Sequence, residues 1–311
     1  MENIKPNFEE LFEQVIDYPD PNMQERLAML VGLDEQKENL VKIISLLVNP
    51  NGLTAGVKKY HPSAKKIIDT VLRRPPLIVL AGDVGSGKTE LASTIGDAVA
   101  RQEKIDITLF PLSLSTRGQG RVGQMTQLIS AAFEYTFEKA KKLQSQSGKT
   151  KGAVILLVDE ADALAQSREN NQMHHEDKAG VNAFIRGIDS LGSGKLPAAV
   201  IMCTNRPNAL DPAIKRRAAD ILYFGRPNDE QRFSALHTVL SELGMSNGDI
   251  NEIVQITGRQ ADRAFGFTYS DLMQRFIPTL VLDAYPHKAV SHDRAKEIAK
   301  TIIPTAPFKE N

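Results

Sequence analysis

Five short apolar runs recur along the first three-quarters of the chain: LIVLA (77–81), ITLF (107–110), AVILLV (153–158), AAVIMC (198–203) and ILYF (221–224). Apart from Thr108 in ITLF, they are apolar without interruption, the pattern of a strand buried on both faces instead of one that alternates between core and water. Helical stretches separate most of them. The plainest is 125–137, where Met125, Leu128, Ile129, Ala132, Phe133 and Phe137 recur at spacings of three and four. Strands alternating with helices predict an α/β domain whose parallel sheet is covered by helices.

After GRPND (225–229) the apolar runs of strand type stop. Four helical patterns follow, DEQRFSALHTVLSEL, GDINEIVQIT, SDLMQRFIPTLVLDAY and SHDRAKEIAKTII, the third opened by a Thr268-x-x-Asp271 capping box. They predict a small all-helical C-terminal domain. Residues 1–30 hold seven acids and two bases, with two short helical patterns split by the breaker YPDP. The expected organisation is an acidic N-terminal arm over 1–30, a large α/β domain over 31–225 and a helical domain over 226–311.

Composition narrows the class. The 38 basic and 38 acidic residues cancel, whereas a nucleic-acid binder usually carries a basic excess that displaces counterions from phosphates. The one cysteine, Cys203, fits a reducing compartment. No apolar run approaches the ~20 residues that span a bilayer, and the start MENIKPNFEE lacks a basic-then-apolar leader. A cytoplasmic protein that does not use a membrane is expected.

The chemistry is carried by GDVGSGKT (82–89), directly after the first apolar run. It matches G-x-x-x-x-G-K-[ST] in the strand–loop–helix setting that the motif requires. Gly82, Gly85 and Gly87 let the backbone wrap a phosphate and aim N–H groups at it, helped by the dipole of the following helix. Lys88 reaches the β- and γ-phosphates, Thr89 is a Mg²⁺ ligand, and Glu90 follows on the cofactor side. ATP and Mg²⁺ are the cofactors implied. A second signal, VILLVDEAD, places Asp159 and Glu160 at the tip of a buried strand, where ligands sit in open α/β sheets. Asp159 is assigned to the metal and Glu160 to the attacking water, as base or orienting group. Asn205 ends a further buried strand and is assigned to the same water; Arg216 and Arg217 follow a helical DPAIK.

Together these residues resemble the AAA+ ATPases of the AAA clade. Walker A is Gly82–Thr89, Walker B is Val154–Glu160, sensor 1 is Asn205, and TNRPNALDPAIKRR is similar to that clade's second region of homology. The resemblance covers residues 31 to about 285. It implies a five-stranded parallel sheet with a helical lid, and a homohexamer in which Arg216 and Arg217 act as fingers on the neighbour's γ-phosphate. VGLDEQKENL (31–40) is similar to the segment that packs on adenine, which makes Val31 and Gly32 base-side residues.

A narrower resemblance is to the pachytene-checkpoint type of AAA+ remodeller, carried by SLSTRGQGRVGQMTQLI, VDEADALAQSREN with VNAFIRGIDSL, and RRAADILYFGRP. It implies a HORMA-domain protein as substrate. For the bacterial form it also implies disassembly of a HORMA–nucleotidyltransferase complex encoded in CD-NTase antiphage operons. Gly118-Gln119-Gly120-Arg121-Val122-Gly123 is formally a dinucleotide fingerprint, but it does not follow its strand directly, and Glu138, about twenty residues on, lies inside a helix. The resemblance makes it the first pore loop, with Arg117, Gly118, Gln119 and Arg121 meeting the substrate. Two departures stand out. Gly118 and Gln119 occupy positions where aromatics are usual, and Ser270 occupies that of the sensor 2 arginine, leaving Arg259, Arg275 or no lid residue to sense ATP. Two other readings of an AAA+ core remain: a nucleotide-switched DNA-loading factor and an unfoldase feeding a protease.

Overall fold

The computed structural model describes residues 7–12, 14–114, 123–144, 150–165, 175–193, 196–261 and 263–308. By contacts it divides into two compact units, interleaved along the chain. One comprises Met1–Leu27, Glu35–Ala81 and Thr89–Tyr223; the other comprises Ala28–Asp34, Gly82–Lys88 and Phe224–Asn311.

The first unit is built on a six-stranded sheet. Its strands are β1 (Ile16–Tyr18), β2 (Leu77–Gly82), β3 (Asp106–Ser113), β4 (Gly152–Asp159), β5 (Ala198–Thr204) and β6 (Ala218–Phe224), in the order β1-β3-β4-β5-β2-β6. The pairs β3·β4, β4·β5 and β5·β2 are parallel. Strands β2 and β5 are buried along their whole length and β4 along all but Asp159, as their unbroken apolarity demands. The helix Gln124–Leu143 buries Met125, Leu128, Ile129, Ala132 and Phe133 as its spacing predicts.

All five anticipated strands form. The sixth, β1, comes from the acidic N-terminal stretch and pairs antiparallel with β3, Asp17 opposite Thr108. A three-residue strand that ends just before Pro19 has no periodicity to announce it; tertiary contacts make it. Tyr18 is buried, donates its hydroxyl to the Ser93 carbonyl at 2.5 Å, and lies so close to Gly96 that a Cβ there would meet the ring at 2.4 Å. Phe12 stacks on Phe110 with ring centroids 4.8 Å apart, and Phe8 meets the same ring edge-on at 5.3 Å. Each such aromatic contributes roughly 1.5–3 kcal/mol by leaving water. Leu11, Phe12 and Tyr18 thus belong to the core although they come from an acidic stretch.

The second unit has its own core, including Leu236, Leu240, Ile253, Phe267, Phe276 and Ile298. Its helices start where capping chemistry starts them. Asn228 and Gln231 cap Asp229–Leu240 reciprocally, and Ser246 and Asp249 do so for Asn247–Thr257. The Thr268/Asp271 box also forms, with both reciprocal bonds at 3.0 Å. It opens a π-helical turn, Asp271–Phe276, ahead of Ile277–Ala284. Pro278 lacks an N–H and crowds the carbonyl four residues before it, and the wider turn upstream accommodates the ring.

Candidate active site

In the first unit the register sets Ser113 opposite Asp159, so two polar side chains stand at the ends of neighbouring buried strands. The Thr89 hydroxyl donates to Asp159 Oδ1 at 3.2 Å, bringing together a hydroxyl and a carboxylate 70 residues apart in the chain. Such an all-oxygen donor set suits a hard divalent cation. Glu160 lies just past the strand in a left-handed conformation, φ 51°, costly for a side chain with a Cβ. Two bonds hold it there: its N–H donates to Asp159 Oδ1 at 2.8 Å, and Oε2 accepts from the Ser113 hydroxyl at 3.1 Å.

Asn205, the residue after β5, is fixed by Asp162. One carboxylate oxygen of Asp162 accepts from the Asn205 N–H and the Thr204 hydroxyl, both at 2.7 Å, and the other accepts from Asn205 Nδ2 at 3.2 Å. Neither Ser113 nor Asp162 is signalled by a motif, although Asp162 is the second aspartate of DEAD, one turn beyond Asp159.

In the second unit the loop 82–88 is shaped by its glycines. Gly82 has φ 154°, and a Cβ on it would fall 1.9 Å from the Phe224 carbonyl oxygen. Gly85 has φ 69° and no room for a side chain beside Thr268 and Ser270, whose N–H donates to the Gly85 carbonyl at 3.1 Å. Gly87 also has positive φ. Lys88 is buried, with Nζ donating to the carbonyls of Asp83 at 2.7 Å and Gly82 at 3.1 Å. A cradle with no room for a Cβ at Gly82 or Gly85, which holds an ammonium against its own carbonyls, fits a nucleotide's phosphates, for which that ammonium would exchange these contacts. Lys88 and Thr89 are consecutive, so backbone continuity links the cradle to the hydroxyl that meets Asp159.

Gly32 accepts at its carbonyl from Gln231 Nε2 at 2.8 Å and from the Tyr269 hydroxyl at 3.3 Å, with Val31 just before it. Burial pushes the Tyr269 phenol up to about 12, keeping it a neutral donor. Ser270, at the sensor 2 position, meets the loop through its backbone. Arg275 is bonded to Asp271 and the Ile303 carbonyl, and Arg259 to the Ala264 carbonyl.

Arg216 is exposed. Arg217 forms a fork on Asp189 at 2.7 and 2.9 Å, and that bond lifts its pKa further above the ordinary arginine value. Glu90 is gripped by both ends of the Arg26 guanidinium at 2.8 Å, an exposed pair. Arg117, Gly118, Gln119 and Arg121 lie outside the described residues. Among the described residues no single helix is long and apolar enough to cross a membrane.

Residues 78–226 match the model of the ATPase family associated with various cellular activities (AAA). The chain is also 64% identical over 306 residues to CD-NTase-associated protein 6 of Escherichia coli strain MS 115-1, covering 98% of both. It therefore belongs to the CD-NTase-associated protein 6 family of AAA ATPases, and it is a nucleotide-binding enzyme. Among solved structures, the E. coli MS115-1 HORMA:CdnC:Trip13 complex contains a chain with TM-score 0.90 and 63% identity, covering 98% of this chain and 100% of that one. Rhizobiales Trip13 follows with TM-score 0.75 and 55% identity over 95% of this chain and 100% of that one.

Proposed function

We propose that this chain uses Mg²⁺-dependent ATP hydrolysis to take apart a complex between a HORMA-domain protein and a nucleotidyltransferase, restraining antiphage signalling. The observation that carries the reading is the 63% identity, end to end, with a Trip13 chain solved together with HORMA and CdnC. Bound Mg²⁺ would neutralise charge developing on the transferred phosphoryl group. The chain's own residues do the rest. The cradle 82–88 with Lys88 holds the phosphates, Thr89 and Asp159 hold the metal, and Val31 with Gly32 faces the base. Glu160, steadied by Ser113, takes the proton of the attacking water, while Asn205, steadied by Asp162, orients that water. The functional particle is a homohexamer, with 31–225 as its nucleotide domain, 226–311 as its lid, and the 115–127 stretch, including Arg117 and Arg121, meeting the substrate in the channel. Arg216 and Arg217 reach the neighbour's nucleotide, for which Arg217 exchanges Asp189.

Glu160→Gln tests the reading. With ATP, this variant should bind nucleotide, lose turnover by about 10²–10⁴-fold, and co-purify with its HORMA-domain protein. Undiminished turnover would remove Glu160 from its role, and loss of turnover without capture of that protein would count against the substrate.

A further inference from the structure

Asp83 is an anion inside a loop made to hold an anion. The second residue of the phosphate loop carries a carboxylate, and Asp83 pairs its charge with Arg226, 143 residues away in sequence. The Arg226 Nε donates to Asp83 Oδ2 at 2.6 Å, and the two side chains are only 14% and 16% exposed. The remaining arms of the guanidinium are also engaged: Nη1 donates to the Gly266 carbonyl and Nη2 to the Thr305 carbonyl, both at 2.6 Å. The Phe265 ring lies 4.7 Å from the guanidinium carbon. Thr305 is itself anchored, its hydroxyl and N–H donating to the fully buried Asp271 at 2.7 and 3.0 Å. Only a planar fork with several donors can serve three acceptors in this way.

What Asp83 does with the rest of its groups shows why its position matters. Oδ1 accepts from the Val84 N–H at 2.8 Å, one of the loop's own amides. Its carbonyl accepts from Lys88 Nζ and from the Ser86 hydroxyl, each at 2.7 Å, and its N–H donates to the Phe224 carbonyl at 3.0 Å. The residue that Arg226 holds is thus the one on which the phosphate-holding lysine rests.

We propose that Arg226 is a positioning residue for nucleotide binding: it neutralises the Asp83 carboxylate and fixes the phosphate loop through it. The proposal rests on 82–89 being the ATP phosphate loop. Without Arg226, a largely buried carboxylate would be left without its cation inside the loop that holds phosphates, and the loop would have to be ordered at the moment of binding. The effect falls on nucleotide affinity, since the hydrogen bonds of Arg226 run to Asp83 and to the Gly266 and Thr305 carbonyls.

The experiment compares full-length Arg226→Gln, Arg226→Ala, Asp83→Asn and the Asp83→Asn/Arg226→Gln double variant, reading KM for ATP, kcat and the melting temperature, with Mg²⁺–ATP as the probe. Arg226→Gln should raise KM about tenfold, the scale of losing a hydrogen bond between charged groups, with kcat within twofold, and Arg226→Ala should raise it at least as much. Neutralising Asp83 on top of Arg226→Gln should bring KM back most of the way, because the repelling charge is gone. A purely structural Arg226 would lower the melting temperature, leave KM alone, and make the double variant worse than either single; that pattern overturns the proposal. Lys88→Ala in parallel separates the two ideas. If it still binds ATP normally, the phosphate-loop reading falls; if it does not bind while Arg226→Gln keeps the parent KM, only the proposal falls.

Discussion

The polar groups at the tips of β4 and β5 and the glycine cradle at 82–88 are fixed by different means. Asp159, Asp162 and Asn205 stand on or just beyond strands whose neighbours are buried, and their partners are supplied by strand register and one adjacent turn. The cradle also starts on a buried strand, at Gly82 of β2, but runs on through a loop. Residues far along the chain shape it: the Phe224 carbonyl against Gly82, Thr268 and Ser270 against Gly85, Arg226 against Asp83. On the proposed reading, the groups that act on the attacking water stand at strand ends, while the loop that holds the phosphates is shaped by contacts with distant residues.

The largest effect that tests this contrast is Gly82→Ala. With a Cβ 1.9 Å from a backbone oxygen and φ at 154°, backbone must shift. The expected cost exceeds about 3 kcal/mol, read as a large fall in melting temperature and loss of ATP binding. An unchanged melt would mean the cradle is looser than its contacts imply. Next in size is Asp162→Ala, which should lower kcat by roughly 10–100-fold through misplacement of Asn205 while KM for ATP holds. A rise in KM instead would erase the division of labour between tip and cradle.

The third test uses pH. Burial pushes the Asp271 carboxyl up, but hydrogen bonds from Thr268, Thr305 and Arg275 outweigh it and hold the group below the usual carboxylate range. A depressed folded-state value means its contribution to stability is complete above about pH 4, the unfolded value, and drains away as pH falls through the lower one. Asp271→Asn should therefore flatten the acid end of the stability profile, measured as melting temperature from pH 6 to 3, and a variant with the parent's slope would rule Asp271 out as its source. The smallest effect is expected from Arg26→Ala, whose exposed pair with Glu90 is worth under about 1 kcal/mol. Turnover should be unchanged; a marked drop would promote Glu90 from a helix-surface acid to a working group.

What could be read in advance follows the same division. The five long strands, the phosphate loop and the acids at the strand tip carry their signals within a dozen residues, as apolar runs and fixed spacings. Ser113, Asp162 and Arg226 carry none. Each is an ordinary polar residue until pairing brings it to Glu160, Asn205 or Asp83, the last across 143 positions. β1 escaped for a related reason, since IDY is too short for a period and it is the pairing with β3, backed by the Tyr18–Ser93 bond and the Phe8–Phe12–Phe110 cluster, that makes it a strand. The π turn before Pro278 was hidden too, because helical spacing over 271–284 reads the same with or without one widened turn.

β1 has one more consequence. The sheet order leaves β3 next to last, with only β1 beyond it. Strip away the first twenty residues and Ile107–Leu109, the part of β3 that β1 covers, joins the sheet edge, its N–H and C=O groups open to any other strand. Such a species would be prone to stack strand on strand with its copies, so the acidic leader doubles as insurance against aggregation, and an N-terminal fusion should leave Ile16–Tyr18 free to dock.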